Sequence, residues 1–191
     1  MVAFFGGIVA QEIVKITGKY TPVTQFFHFE SFLSAPQGEV DRTLHNTRYD
    51  DQVAIFGNEL QKKLGDLEIF MVGAGALGCE YVKAYAMMGI GCGPKGKVIC
   101  TDNDNIEVSN LNRQFLFRQN NVGTPKSKTA LEIGVTMNKD LHAQSLQKYV
   151  SPETEDVFDD TFWNRLSFVV NAVDNVKARQ YVDQRCVWFK K

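Results

Sequence analysis

From Asp66 onward the chain alternates short, continuous apolar runs with stretches whose apolar residues return at helical spacing. Leu67 to Val72, bounded by Gly65-Asp66 and Gly73, predicts a buried strand. Leu77, Tyr81, Ala84, Tyr85 and Met88 then predict a helix, so Gly73 to Gly78 lie where a strand hands over to a helix. Val98-Ile99-Cys100-Thr101 predicts a second strand ending at Asp102. Phe168 to Val173 predicts another, ending at Asp174-Asn175 ahead of a helical stretch with Val176, Arg179, Tyr181 and Val182. Between these strands Thr124-Pro125 reads as a helix start, with Thr124 as N-cap and Pro125 in the first turn, before Ala130, Leu131, Val135 and Met137. Val157, Phe158, Phe162, Trp163 and Leu166 form a helix-like apolar set among acids, expected to be a core face with a solvated back. The fold class expected is α/β, a Rossmann-like, doubly wound, mostly parallel sheet with flanking helices.

The first part of the chain differs. Val9, Ile13 and Ile16 mark a helix stopped by Gly18, Val23 to Phe29 predicts an aromatic strand, and Ala35 to Glu39 is a loop. A helical pattern follows from Tyr49 through Val53, Phe56, Leu60 and Leu64. It is broken at Gly57-Asn58, where Asn58 suits an N-cap with Gln61 at the matching position. The organisation expected is a helix-plus-strand segment over 1–47, a helical lead-in over 48–65 and a nucleotide-binding domain over 66–191. No internal repeat or low-complexity segment interrupts it.

With 191 residues, 44% of them hydrophobic, the chain has material for one full domain and a partial one. A net charge of −1 argues against nucleic acid or an anionic membrane as a partner. No apolar run approaches membrane-spanning length and no signal-peptide pattern is present, so a soluble intracellular protein is expected. Four cysteines without C-x-x-C spacing offer no zinc site and predict packed thiols.

The candidate chemistry lies at the predicted strand ends. Gly73-Ala74-Gly75-Ala76-Leu77-Gly78 is a glycine loop that lets a phosphate approach backbone N–H groups at the positive end of a helix. Asp102 stands where a carboxylate takes ribose hydroxyls, or else caps the turn, while Asp104 reads as a turn residue. In Asn110-Leu111-Asn112-Arg113-Gln114-Phe115, apolar residues anchor the segment while Asn110, Arg113 and Gln114 point into a site. The planar, permanently charged fork of Arg113 matches phosphate oxygens, whereas Arg118 fits a solvated surface position. Lys126 and Lys128 in a first helical turn oppose the helix dipole, and an anion docked there reverses the sign. Lys126 is therefore assigned to a triphosphate and Lys128 to solvent. Asp174 faces the same crevice and suits Mg²⁺, which takes one or two protein oxygens plus phosphates and water; the alternative is a helix cap.

These residues resemble the adenylation domain of ubiquitin-activating enzymes and their relatives. The resemblance is carried by Gly73 to Glu80, Gly89-Ile90-Gly91-Cys92-Gly93, Ser109 to Phe117, Asn171-Ala172-Val173-Asp174-Asn175 and Arg185-Cys186-Val187, and is strongest from Asp66 to Lys191. The insert Gly89 to Gly96 and the stretch Arg48 to Gly57 are similar to the ubiquitin-specific members. The resemblance implies binding of Mg·ATP and of the C-terminal carboxylate of ubiquitin, formation of an acyl-adenylate with release of pyrophosphate, and passage of the acyl group to a cysteine and on to a conjugating enzyme. It implies that Ala76 lies against the nucleotide and that Asp102 holds the ribose. Asn110, Arg113, Gln114 and Lys126 contact phosphates, Asp174 holds the metal, Asn175 is a further nucleotide-binding residue, and Val150 contacts adenine; Arg113, Lys126 and Asp174 are the catalytic set. Residues 1–47 are then the tail of a preceding adenylation repeat, Phe26, Phe27, Phe29 and Phe32 pack on residues outside this chain or on the fragment itself, and the protein belongs to cytoplasm and nucleus. None of Cys79, Cys92, Cys100 or Cys186 lies in the motif of the transfer cysteine, so this chain alone is expected to be inactive. Lys139 and Lys177 stand where Pro and Asp are expected.

Two other readings compete. An NAD-binding dehydrogenase-type domain accounts for the glycine loop and Asp102 but leaves Arg113, Lys126 and Asp174 without a task. His28, His45 and His142 lie away from the predicted strand ends, so it also lacks a proton donor for hydride transfer. A non-catalytic module binding ubiquitin-like partners leaves the polar residues of the crevice idle.

Overall fold

The computed structural model describes residues 2–31 and 34–191, which divide into two compact units, 1–35 and 36–191. In the first, Val2–Lys15 forms helix α1, and Gly18 follows in a left-handed turn (φ +80°). Val23 to Phe29 is not a strand. Among the described residues no second strand in that unit offers it a ladder, and the Val23 N–H donates instead to a Glu12 carboxylate oxygen (2.9 Å). Phe29 packs on Phe4 and Phe5, and Phe27 on Phe5, while Phe26 is fully exposed, so two of the predicted aromatics find partners within the fragment. Phe32 lies outside the described residues.

The second unit holds α2 (Asp50–Phe56), α3 (Asn58–Gly65), β1 (Glu68–Val72), α4 (Ala76–Met88), β2 (Lys97–Thr101), α5 (Lys126–Met137), β3 (Ala143–Leu146), α6 (Asp160–Arg165), β4 (Phe168–Asn171) and α7 (Val176–Phe189). The strands form one sheet in the order β3-β2-β1-β4, every pair parallel. Parallel neighbours require crossovers, and helices in those crossovers cover both faces of the sheet. β1 shows the result. Ile69 and Met71 point into a core with α4 and α5, while Phe70 and Val72 point into a second core with Phe158, Phe162, Trp163, Leu166 and Val182. Large side chains at zero exposure on both faces, Ile69 and Met71 on one and Phe70 and Trp163 on the other, each contribute roughly 1.5–3 kcal/mol. The expected doubly wound parallel sheet is therefore present. Among the described residues no helix is long and apolar enough to cross a membrane.

Several local expectations shift. In α4 the buried face is Gly78, Cys79, Val82, Tyr85 and Ala86, whereas Leu77 and Tyr81 are exposed. The residue before α3 is Gly57 (φ +84°), not Asn58. The Asn58 amide instead donates to Asp41 and to the Thr43 carbonyl (both 3.0 Å), which fastens the lead-in to the chain before it. Thr124 does not cap α5, which starts at Lys126 after an extended Pro125. The reason is a short antiparallel contact in which Ile106 N–H donates to Thr124 O (2.9 Å) and Asn105 bridges Pro125, holding the chain extended through that point. Val157 and Phe158 precede α6 in a turn, yet both join the core beside it.

Candidate nucleotide site

The carboxyl ends of β1, β2 and β4 open on one cavity of about 770 Å³. From the segment after β1 it is bordered by Gly73, Gly75 and Ala76, and from the end of β2 by Asp102 and Asp104. Asn110, Arg113 and Gln114 border it from the following loop, and Lys126 from the start of α5. Val150 reaches it after β3, and Asp174 and Asn175 after β4. Residues separated by a hundred positions are gathered because parallel strands deliver all their carboxyl ends to one edge of the sheet.

Gly78 is the one predicted glycine that does not line the cavity. A Cβ on Gly78 would overlap the Gly73 carbonyl oxygen, so this glycine serves the close approach of α4 to its own leading loop. Gly73 has φ +103° and no room for a Cβ, which would come within 2.6 Å of the Ala172 carbonyl oxygen. Gly75, by contrast, has open space on its cavity side, with Gln114 Nε2 the nearest atom at 4.0 Å.

The residues before α4 and α5, Gly75 and Pro125, carry no side-chain cap. The amino end of α4 therefore meets the cavity through Gly75, Ala76 and Leu77 with backbone donors and partial positive charge, which is the condition for holding phosphate, whereas the first N–H of α5, that of Lys126, is taken by Asp104 O (3.0 Å). Arg113 is exposed, and its Nη1 donates to Ser109 O (3.0 Å) and Asn112 Oδ1 (3.3 Å), so its other guanidinium nitrogens are available on the cavity wall. Gln114 is 3% exposed, and its buried Oε1 has no hydrogen-bond partner among the described residues. A buried amide oxygen without a partner is costly, and a ligand or water in the adjoining cavity relieves it.

Asp102 does more than the sequence suggests. Its Oδ2 accepts from Ala74 N–H (2.6 Å) in the glycine loop, and its Oδ1 accepts from Asp104 N–H (2.9 Å). The turn-capping alternative is thus realised, and each oxygen keeps a lone pair for a ribose hydroxyl. Burial pushes the Asp102 carboxyl above the ordinary range, and these two backbone hydrogen bonds oppose that shift. Lys126 is 8% exposed, and its Nζ donates to Asp104 Oδ2 (2.8 Å). Asp104, assigned to a turn from the sequence, is therefore part of the site. Lys148 and Arg179 also border the cavity and were not singled out; the signal for Arg179 was its place in the first turn after Asp174-Asn175. Lys128 stays at the surface, as does Arg118, which bonds the Phe115 and Phe117 carbonyls.

The α7 cap is Asn175, whose Oδ1 accepts from Lys177 and Ala178 N–H, so the capping alternative for Asp174 is not realised. Among the described residues no group of three or more His, Cys, Asp or Glu forms a cage for a metal. Of the four carboxylates on the cavity wall, Asp102, Asp104 and Glu107 are already held by hydrogen bonds; a single remaining carboxylate, that of Asp174, fits Mg²⁺ completed by water and phosphate oxygens and not a fully protein-ligated ion. None of the three histidines borders the cavity; His142 Nδ1 lies 3.1 Å from Gly96 O, ahead of the amino end of β3. All four cysteines are free. Cys79 and Cys100 are buried, which pushes the Cys79 thiol up to about 11 and the Cys100 thiol well above its usual value.

Residues 49–191 match the ThiF family. The whole chain is 54% identical over 195 residues to ubiquitin-activating enzyme E1 2 of Arabidopsis thaliana, of which it covers 18%. It is 52% identical over 200 residues to ubiquitin-activating enzyme E1 1 of Candida albicans, covering 20% of that protein. It is also 48% identical over 195 residues to human ubiquitin-like modifier-activating enzyme 1, with 99% of this chain and 18% of that protein covered. The chain thus spans about a fifth of the length of these relatives. Among solved structures, Escherichia coli tRNA N6-threonylcarbamoyladenosine dehydratase superposes with a TM-score of 0.66 at 24% identity, covering 75% of this chain and 56% of that one. The same enzyme in complex with ATP gives 0.65. At that identity the likeness is one of fold.

Proposed function

The chain belongs to the ThiF family, and from that premise we propose that it is the nucleotide-binding portion of an enzyme that activates ubiquitin by ATP-dependent adenylation. The observation that carries the reading is that a glycine loop, the uncapped amino end of α4, the cations Arg113 and Lys126 and the carboxylates of Asp102 and Asp174 border one cavity. The names of the similar proteins support ubiquitin as the modifier.

In this reading the C-terminal carboxylate oxygen of ubiquitin attacks the α-phosphorus of ATP. A C(O)–O–P bond forms, the bond to the β-phosphate oxygen breaks, and pyrophosphate leaves. Negative charge gathers on the phosphoryl oxygens in that step. Arg113, Lys126 and the N–H groups at the start of α4 are fixed donors for it, and fixed donors in a partly desolvated cavity stabilise developing charge without reorganising. Asp102 takes the ribose hydroxyls and Val150 walls the base. Asp174 would hold Mg²⁺, which when bound neutralises phosphate charge. The acyl group then passes to a cysteine outside this chain and on to a conjugating enzyme.

The test is ubiquitin-dependent exchange of labelled pyrophosphate into ATP by the enzyme that carries this segment. Exchange that requires both ubiquitin and Mg²⁺ is expected, and its absence would refute the assignment. Calorimetric titration of ATP against NAD excludes the dehydrogenase reading if ATP binds and NAD does not.

A further inference from the structure

We propose that Asp104 is a positioning residue for the nucleotide site, acting through Lys126, and that this role rests on the nucleotide reading above. Two bonds join the residues. The Lys126 ammonium donates to Asp104 Oδ2 (2.8 Å) and the Lys126 N–H donates to Asp104 O (3.0 Å). A lysine is a point charge on a flexible stem, and its ammonium has a defined place only where a partner gives it one. Here the carboxylate fixes the charge while the main-chain bond fixes the start of α5 from which the stem departs.

The pair remains able to bind an anion. An ammonium carries three donors, Asp104 takes one, and no other hydrogen-bond partner of Nζ is seen among the described residues. The lysine side chain is 10% exposed whereas the aspartate side chain is 62% exposed. The negative member is thus hydrated and screened, and the positive member stands in the less polar wall, where its field on a ligand is stronger. A carboxylate buried to the same depth would cancel the cation it holds.

The same short loop joins the other half of the site. Asp104 N–H donates to Asp102 Oδ1, and Asp102 Oδ2 accepts from Ala74 N–H in the glycine loop. Farther along, Gly123 N–H donates to Ile106 O and Ile106 N–H to Thr124 O. Residues 102–106 therefore set the spacing between the phosphate loop and Lys126 from both sides.

Two measurements on the 191-residue chain test this. Competitive amine labelling read by mass spectrometry is expected to modify Lys126 several-fold more slowly than Lys128. That gap should narrow in Asp104→Ala and be partly kept in Asp104→Asn, which retains an acceptor. Equal labelling of Lys126 in the wild type and Asp104→Ala would overturn the proposal. Titration with a fluorescent ATP analogue is expected to show about tenfold weaker binding for Asp104→Ala, the scale of one charge-assisted hydrogen bond. The double variant with Lys126→Ala should be no weaker than Lys126→Ala alone. Additive losses would mean that Asp104 does not act through the lysine and would overturn the role. A wild-type chain that fails to bind the analogue refutes the nucleotide reading instead, and the labelling result still decides the pairing.

Discussion

Gly78→Ala separates packing from ligand binding within a single motif. Gly78 is in the first turn of α4, where alanine in place of glycine ordinarily stabilises a helix by about 0.8–1 kcal/mol. Here the new methyl group meets the Gly73 carbonyl oxygen, a backbone atom, and the loop between them is pinned by the bond from Ala74 N–H to Asp102. Against a backbone atom that cannot move aside, the cost lies in the upper part of the overpacking range, about 2–3 kcal/mol. The net effect expected is a loss of about 1–2 kcal/mol, which for a chain of this size lowers Tm by roughly 2–8 °C. Gly75→Ala is the control. Gly75 has φ −76° and its nearest neighbour on that side is 4.0 Å away, so Tm should stay within about 1 °C of wild type while the methyl group occupies cavity space. Thermal unfolding by circular dichroism with and without Mg·ATP reads both quantities. Gly78→Ala should lose stability without nucleotide, and Gly75→Ala should lose only the stabilisation that nucleotide confers. A Gly78→Ala chain melting at or above wild type would refute the close-approach argument.

Further outcomes follow from the same geometry. Arg113→Ala or Lys126→Ala should each reduce ubiquitin-dependent pyrophosphate exchange roughly a hundredfold, the usual loss for one donor to a developing oxyanion; near-normal exchange would remove that residue from the chemistry. Asn175→Ala should cost about 1 kcal/mol in chemical denaturation, because two amides at the start of α7 lose their acceptor. Asn138 is 2% exposed and its amide bonds Tyr49 OH (2.7 Å) and Ala86 O (2.8 Å), so Asn138→Ala should cost about 2–3 kcal/mol by the same measurement. Iodoacetamide at pH 8 should modify Cys92 and Cys186 ahead of Cys79 and Cys100, since only thiolates react and burial holds both latter thiols protonated. Mass spectrometry of the native chain checks the order.

Three of the four strands, β1, β2 and β4, were legible because they are largely apolar runs, whereas the edge strand β3, Ala143-Gln144-Ser145-Leu146, is mostly exposed and carries no such run. A strand buried on both faces cannot alternate, and Leu67 to Val72 does not. The site was legible for a related reason, since residues that follow such runs fall at one edge. What escaped were features set by partners distant in sequence. Val23 to Phe29 has strand composition but no neighbour to pair with. Thr124 has the right side chain for a cap, yet the ladder with residues 104–106 delays the helix. The exposed side of α4 follows from where the sheet and α5 lie, which the spacing of Leu77 and Tyr81 does not encode. Asp104 was hidden because an acid three residues past a strand end suits any turn, and only Lys126, 22 positions later, gives it a task.

The strand order has a consequence for the ribosome. β1 lies inside the sheet, but Ile69 finds its β4 neighbour in Phe168, roughly a hundred residues later. At about 5–20 residues per second, one flank of the central strand stays open for some 5–20 s of synthesis. A row of unpaired amides beside Phe70 and Met71 is a nucleus for association between nascent chains, so elongation rate and chaperone supply between codons 72 and 171 should set the yield of soluble product.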